Sequence, residues 1–170
     1  MNAEIAQALV DYFAGMIENE GKTTAKVLAA VPDSGRDYKP DEKSRTAWEL
    51  ATHLAASDVW FLDSIINGSF NFDPEAEKQV TSGFGKVQDV VEFYNREMPT
   101  RLQQLRALPT EKLTGVVDFF GMMQQPNVTY LGFANNHSIH HRGQLAAYLR
   151  AMGSKVPSIY GGSADEPMQG

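Results

Sequence analysis

Apolar residues recur every three to four positions through the first part of the chain, at Ile5, Leu9, Tyr12 and Met16 and then at Val27, Leu28 and Val31. That spacing predicts an amphipathic helix from residue 3 to about residue 31, with Asn2 as its N-cap and Pro32 as its stop. Residues 33–40 read as a loop. A second helix opens around residues 44–49, where Thr46 and Glu49 have capping-box spacing. Leu50, His53, Leu54, Ser57, Phe61 and Ile65 form its inner stripe, and Asn67-Gly68 ends it.

Residues 68–85 are rich in Gly, Phe and Asn and contain Pro74. They read as a long connection of the kind that serves as a lid or a pocket wall. Val87, Val91, Tyr94, Met98, Leu102 and Leu105 predict a third helix, with a kink or break near Met98 imposed by Pro99. A turn follows at residues 109–112, then one extended, apolar, strand-like piece at 115–121. After Pro126, Asn127 is placed to cap a fourth helix that runs to about Met152 and stops at Gly153. Leu131, Ala134, Ser138, Leu145, Tyr148 and Leu149 form its inner face, bordered by His137 and His141, and residues 156–166 read as a loop. The pattern predicts an all-α fold: an up-down-type four-helix bundle with long connecting loops, as one domain over residues 1–170.

Composition narrows the chemistry. The chain has 170 residues, 42% of them hydrophobic and 10% aromatic, which suits a globular domain with a sizeable core. A net charge of -6 disfavours nucleic acid or an anionic membrane surface as a partner. There is no cysteine, so disulfides, thiolate metal sites and a cysteine nucleophile are excluded, and thiol chemistry would need an external thiol. The N-terminus lacks the basic start and apolar run of a signal peptide, and no window reaches the ~20 apolar residues of a spanning helix. A cytoplasmic location is the resulting expectation.

Three of the four histidines fall in Asn135-Asn136-His137-Ser138-Ile139-His140-His141-Arg142-Gly143-Gln144. On a helix, His137 and His141 lie one turn apart and roughly 40° around the axis, close enough to face one ion. His53 is the candidate third ligand, and three nitrogens with an open position make a catalytic rather than a closed structural site. The alternatives are a core histidine bonded to a carbonyl for His53, and two polar residues at a helix edge for the pair. The place of a zincin glutamate is held by Ser138, and Glu49 to His53 has the wrong spacing for a di-iron Glu-x-x-His. His140 lies to the other side of His137 and reads as a neighbour that bonds or lines the pocket.

His137-x-x-His140-His141-Arg142-Gly143-Gln144 leading into an apolar helix resembles the DinB/YfiT-like superfamily. Leu50-Ala51-Thr52-His53-Leu54 after the capped Trp48, Val156-Pro157-Ser158-Ile159-Tyr160 and Asp165-Glu166 extend the resemblance over essentially the whole chain. The resemblance implies a four-helix bundle, a divalent ion (nickel or zinc) held by His53, His137 and His141, and a homodimer. It further implies transfer of a low-molecular-weight thiol to an electrophilic small molecule, or a thiol-dependent isomerisation, at a site where the ion lowers the thiol pKa. His140 and Arg142 are the candidates for catalytic roles; Arg142 pairs an anionic thiol or carboxylate, or is a solvated helix residue. Trp48, Trp60 and Tyr130 either wall the pocket with the 68–85 segment or pack in the core. The alternative function is a non-catalytic metal- or small-molecule-binding stress-response protein with the same three histidines.

Overall fold

The computed structural model describes residues 1–168; positions 169 and 170 of the predicted domain lie outside the described residues. Four long helices are present: α1 (Ala3–Ala29), α2 (Ala47–Asn67), α4 (Val87–Arg106) and α6 (Tyr130–Leu149). Two short helices, α3 (Pro74–Ser82) and α5 (Thr110–Thr114), and a hairpin of β1 (Val116–Phe119) and β2 (Met123–Pro126) lie in the connections. Asn2 Oδ1 accepts the Ile5 N–H at 2.9 Å and so caps α1. Thr46 and Glu49 form the predicted reciprocal capping box. Gly68, at φ +76°, closes α2 in the left-handed region that a side chain would strain. No helix is long and apolar enough to cross a membrane among the described residues.

Each of α1 and α2 packs on both α4 and α6, so α1 and α2 occupy opposite corners of the bundle. Side-chain contacts give the directions. Along α1 and α6 they climb together, from Met16 with Asn135 to Glu20 with Arg142, and the same holds for Asp58 with Tyr94 and Asp63 with Arg101 on α2 and α4. They run in opposite senses for Glu18 with Arg106 and Gly21 with Tyr94, and for His53 with His141 and Phe61 with Phe133. The bundle is therefore up-down-down-up: the 68–86 connection runs back along the bundle to place α4 parallel beside α2, and the connections from α1 to α2 and from α4 to α6 each cross a diagonal.

Several local expectations are corrected. In its first half the core face of α1 is Ala6, Val10, Ala14 and Ile17, whereas Ile5 and Tyr12 are 52% and 65% exposed; towards its end Val27, Leu28 and the following Val31 are buried as the spacing predicts. The 68–85 segment is not all loop. Asp73 accepts the Glu75 N–H at 2.9 Å, and Pro74 sits in the first turn, where its missing N–H costs nothing. α4 runs unbroken through Pro99, which is exposed beside exposed Asn95, so water can serve the carbonyl left without a donor while Met98 and Leu102 stay buried. Asn127 does not cap α6. It is fully buried in a 3₁₀ turn, and its Nδ2 donates to the Ile65 and Lys112 carbonyls at 2.7 and 3.1 Å. The single strand-like piece is one arm of an antiparallel hairpin, with Phe119 opposite Met123. Its turn holds Phe120 at φ 53°, which costs a bulky residue of order 1–3 kcal/mol.

The bundle centre is polar at one level. Asp58 on α2 is 5% exposed, and its Oδ2 accepts from Tyr94 on α4 at 2.9 Å and from Ser138 on α6 at 2.7 Å. Burial raises its carboxyl from 3.8 to about 7, against the opposing hydrogen bonds of Ser138 and Tyr94 and the Arg142 charge. An acid with a raised folded pKa binds more protons when folded. Its contribution to stability is therefore fully present below about pH 4 and is lost as pH rises toward 7. Asp58→Asn keeps the acceptor oxygen and cannot ionise. In urea melts, the stability of the native protein relative to this variant should fall by a few kcal/mol, as an order of magnitude, between pH 4 and 7. A difference that does not vary with pH would show that Asp58 does not titrate in this window.

Candidate metal centre

His53 projects from the second turn of α2, and His137 and His141 from successive turns of the antiparallel α6. One ring nitrogen of each lies within 4.8 Å of the others, so the three form a group able to hold a metal ion. Ring centroids are 4.4 Å apart for His137 and His141, 4.8 Å for His53 and His141, and 5.4 Å for His53 and His137. All three rings are half-buried.

Burial holds the rings neutral. His53 is lowered from 6.5 to about 4 by desolvation, helped by the Arg45 and His141 charges. His137 is lowered to about 4 by desolvation and by its histidine neighbours, and His141 is lowered by desolvation against the opposing Gln144 bond. Neutral imidazole is the form that ligates, so the lone pairs a divalent ion needs are available at neutral pH.

The residues around the rings fit a metal. His141 Nδ1 lies 2.8 Å from Gln144 Oε1, and His53 Nδ1 lies 3.5 Å from Glu77 Oε1 on α3. An Nδ1–H donating to each oxygen leaves Nε2 bare, the outer-sphere orientation that ligating histidines use. His137 Nδ1 is buried with no hydrogen-bond partner among the described residues. An orphaned ring nitrogen beside two oriented imidazoles is costly unless something accepts its lone pair.

The other candidate residues sit elsewhere. His140 is exposed, with its ring 4.9 Å from that of His141, and lies outside the group of three. Arg142 is neither solvated nor turned to the histidines: it is 1% exposed, pairs Glu20, and donates to the Glu20 carbonyl, Thr24 Oγ1 and Tyr160 Oη. Trp48 lies under the Arg36 guanidinium, and Tyr130 is core, donating to the Val117 and Met123 carbonyls. Trp60 does line the cavity of about 410 Å3 that opens beside His53 and His137. Sequence reasoning gave Glu77 and Gln144 no role at the site. Gln144 carried a signal, since i,i+3 on a helix puts it beside His141; Glu77 carried none, because only the docking of α3 brings it to His53.

A four-helix bundle that gathers three neutral imidazoles between antiparallel α2 and α6 defines the class of protein. The chain belongs to the DinB family, whose profile matches residues 6–169. It is 28% identical over 158 residues to the uncharacterized protein YrdA of Bacillus subtilis (strain 168), covering 92% of this chain and 91% of that one. The uncharacterized protein YjoA of the same strain is 30% identical over 123 residues, 72% of this chain and 77% of its own. The crystal structure of YjoA, a DinB-like protein, superposes with a TM-score of 0.67 at 25% identity, covering 85% of this chain and 93% of that one. A DinB-like protein from Bacillus cereus ATCC 10987 reaches 0.70 at 23% identity, covering 87% and 95%, and so shares the fold.

Alanine at His53, His137 or His141 should each lower affinity for zinc or nickel by more than about 100-fold, beyond the roughly 10–100-fold of an outer-sphere change. His140→Ala should leave it near the native value. Calorimetric titration of the purified variants checks this, and undiminished binding in any of the three would remove that residue from the set. Protons compete for His53 and His137 only near pH 4, so metal content should be unchanged from pH 7 to pH 6 and fall toward pH 4. Release already complete at pH 6 would mean that the imidazoles keep ordinary basicity.

Proposed function

We propose that this chain, as a homodimer, is a metal-dependent enzyme that joins a low-molecular-weight thiol to an electrophilic small molecule. The observation that carries the reading is the trio of neutral histidines, two of which (His53 and His137) line a substrate-sized cavity, in a chain with no cysteine of its own. Nickel or zinc held by His53, His137 and His141 supplies a lowered thiol pKa, so that thiolate is present at neutral pH. Glu77 and Gln144 keep the Nδ1 protons of His53 and His141 directed away from the ion-binding face. Trp60, Phe61 and Phe133 line the side where the second substrate enters. In the reaction, the thiol sulfur forms a bond to the electrophilic carbon, the leaving group departs with its electron pair, and the thiol proton passes to water.

Cobalt-substituted protein gives the test, because thiolate ligation produces a sulfur-to-metal charge-transfer band. Adding cysteine, glutathione-like or sugar-linked thiols at pH 7 should produce this band with at least one of them, and that thiol should yield a thioether with a reactive alkyl halide faster than in the absence of protein. His141→Ala should abolish both. A protein that binds metal but gives neither band nor product across the panel would sink the transferase and leave the non-catalytic binding protein.

A further inference from the structure

The cavity beside the histidines has walls of one chemical character. Its volume of about 410 Å3 falls within the roughly 300–1,000 Å3 of small-molecule sites. Trp60, Phe61, Phe72, Phe93, Phe119 and Phe133 supply aromatic surface from α2, the α2–α3 connection, α4, β1 and α6. His53 and His137 form part of the same lining, with the Phe61 ring 5.0 Å from that of His137. Phe72 and Val80 remain 50% and 40% exposed although both line this cavity, which leaves apolar surface for an occupant to cover. At the hairpin tip, Phe120 holds its positive φ while its ring stacks on Trp60 at 6.4 Å and 11°, extending the aromatic wall.

Charge decides what kind of apolar ligand fits. No lysine or arginine lines this cavity among the described residues; its charged groups are Asp63, Asp73 and Glu77. Away from the ion-binding face, an anion entering would lose its hydration next to three carboxylates with no lysine or arginine to offset the loss. A cation would meet carboxylates that already have partners: Asp63 accepts from Arg101 at 3.0 Å, Asp73 caps α3, and Glu77 faces His53. An uncharged ring loses nothing of this kind and gains burial against the aromatic walls.

We infer that this cavity binds an uncharged aromatic or similarly bulky apolar group, and that the electrophile is a molecule carrying one. The inference rests on the functional reading above and names its substrate class. The test is binding, separate from turnover. Metal-free protein, in which no carboxylate can bind through the ion, is titrated by calorimetry with 2-naphthylmethanol, 2-naphthoate and 2-naphthylmethylammonium, and the Trp60 indole N–H is followed by NMR to locate the ligand. The alcohol should bind at least about tenfold more tightly than either ion and shift the Trp60 resonance. Ala76→Trp, an exposed α3 position whose side chain lines the cavity, should abolish that binding while metal content stays native. Binding of either ion as tight as the alcohol, no binding of the alcohol, or no effect of Ala76→Trp would overturn the inference. Selective binding of the alcohol without thioether formation from any thiol would leave the inference standing and overturn the transferase instead.

Discussion

One buried carboxylate oxygen ties three of the four bundle helices together. Asp58 Oδ2 on α2 accepts from Tyr94 on α4 and Ser138 on α6, and the buried carboxyl has little contact with solvent to offset the hydration it gives up. Such a group is costly when either donor is lost, so it penalises alternative helix spacings more than it adds stability. The site depends on that spacing. Ser138 is the neighbour of His137, and Asp58 lies a little over one turn beyond His53. The bond that sets the distance between α2 and α6 therefore also sets the distance between their histidines. A second polar tie works at the other diagonal corner, where Arg142 pairs Glu20 of α1 and donates to Tyr160, pinning the tail across the bundle.

These ties explain why α6 lacks a single apolar stripe. His137 looks toward the cavity and His141 toward His53 on α2, Ser138 and Arg142 carry the polar links one residue further round, and Leu131, Leu145 and Leu149 fill the core. A surface helix usually divides into one wet and one dry face. This one gives a third side to its histidines, and its amphipathic pattern is blurred as a result. α2 accommodates the arrangement with small residues at Ala51, Ala55 and Ala56, all buried, which allow close approach.

The connections do more than join helices. α3 buries none of its residues fully, yet it supplies Glu77 to His53 and Ala76 and Val80 to the cavity. The hairpin brings Phe119 into the same wall and accepts strain at Phe120 to cover Trp60. The rigid bundle thus holds the imidazoles, while the pieces between helices shape the space in front of them, a division common where loops decide specificity.

Local patterns in the sequence set the four long helices, their caps at Asn2 and Thr46, the stops at Gly68 and Gly153, and the one-turn spacing of His137 and His141. These are local consequences of periodicity, capping and backbone freedom, and each can be read within a few residues. Several further features could not be read that way. In the first half of α1 the apolar Ile5 and Tyr12 face outward while Ala6 and Ala14 pack, although Val27 and Leu28 further along are buried as their spacing indicates. α3 was hidden in a segment rich in loop formers, although Asp73-Pro74 marked its start. Arg142 resembled a solvent-facing helix residue until Glu20, from more than a hundred residues away, explained its burial. The partners of Asp58, the approach of Glu77 to His53 and the aromatic cavity belong to tertiary structure alone. They arise from contacts between elements far apart in the chain, and no local pattern records which elements will meet.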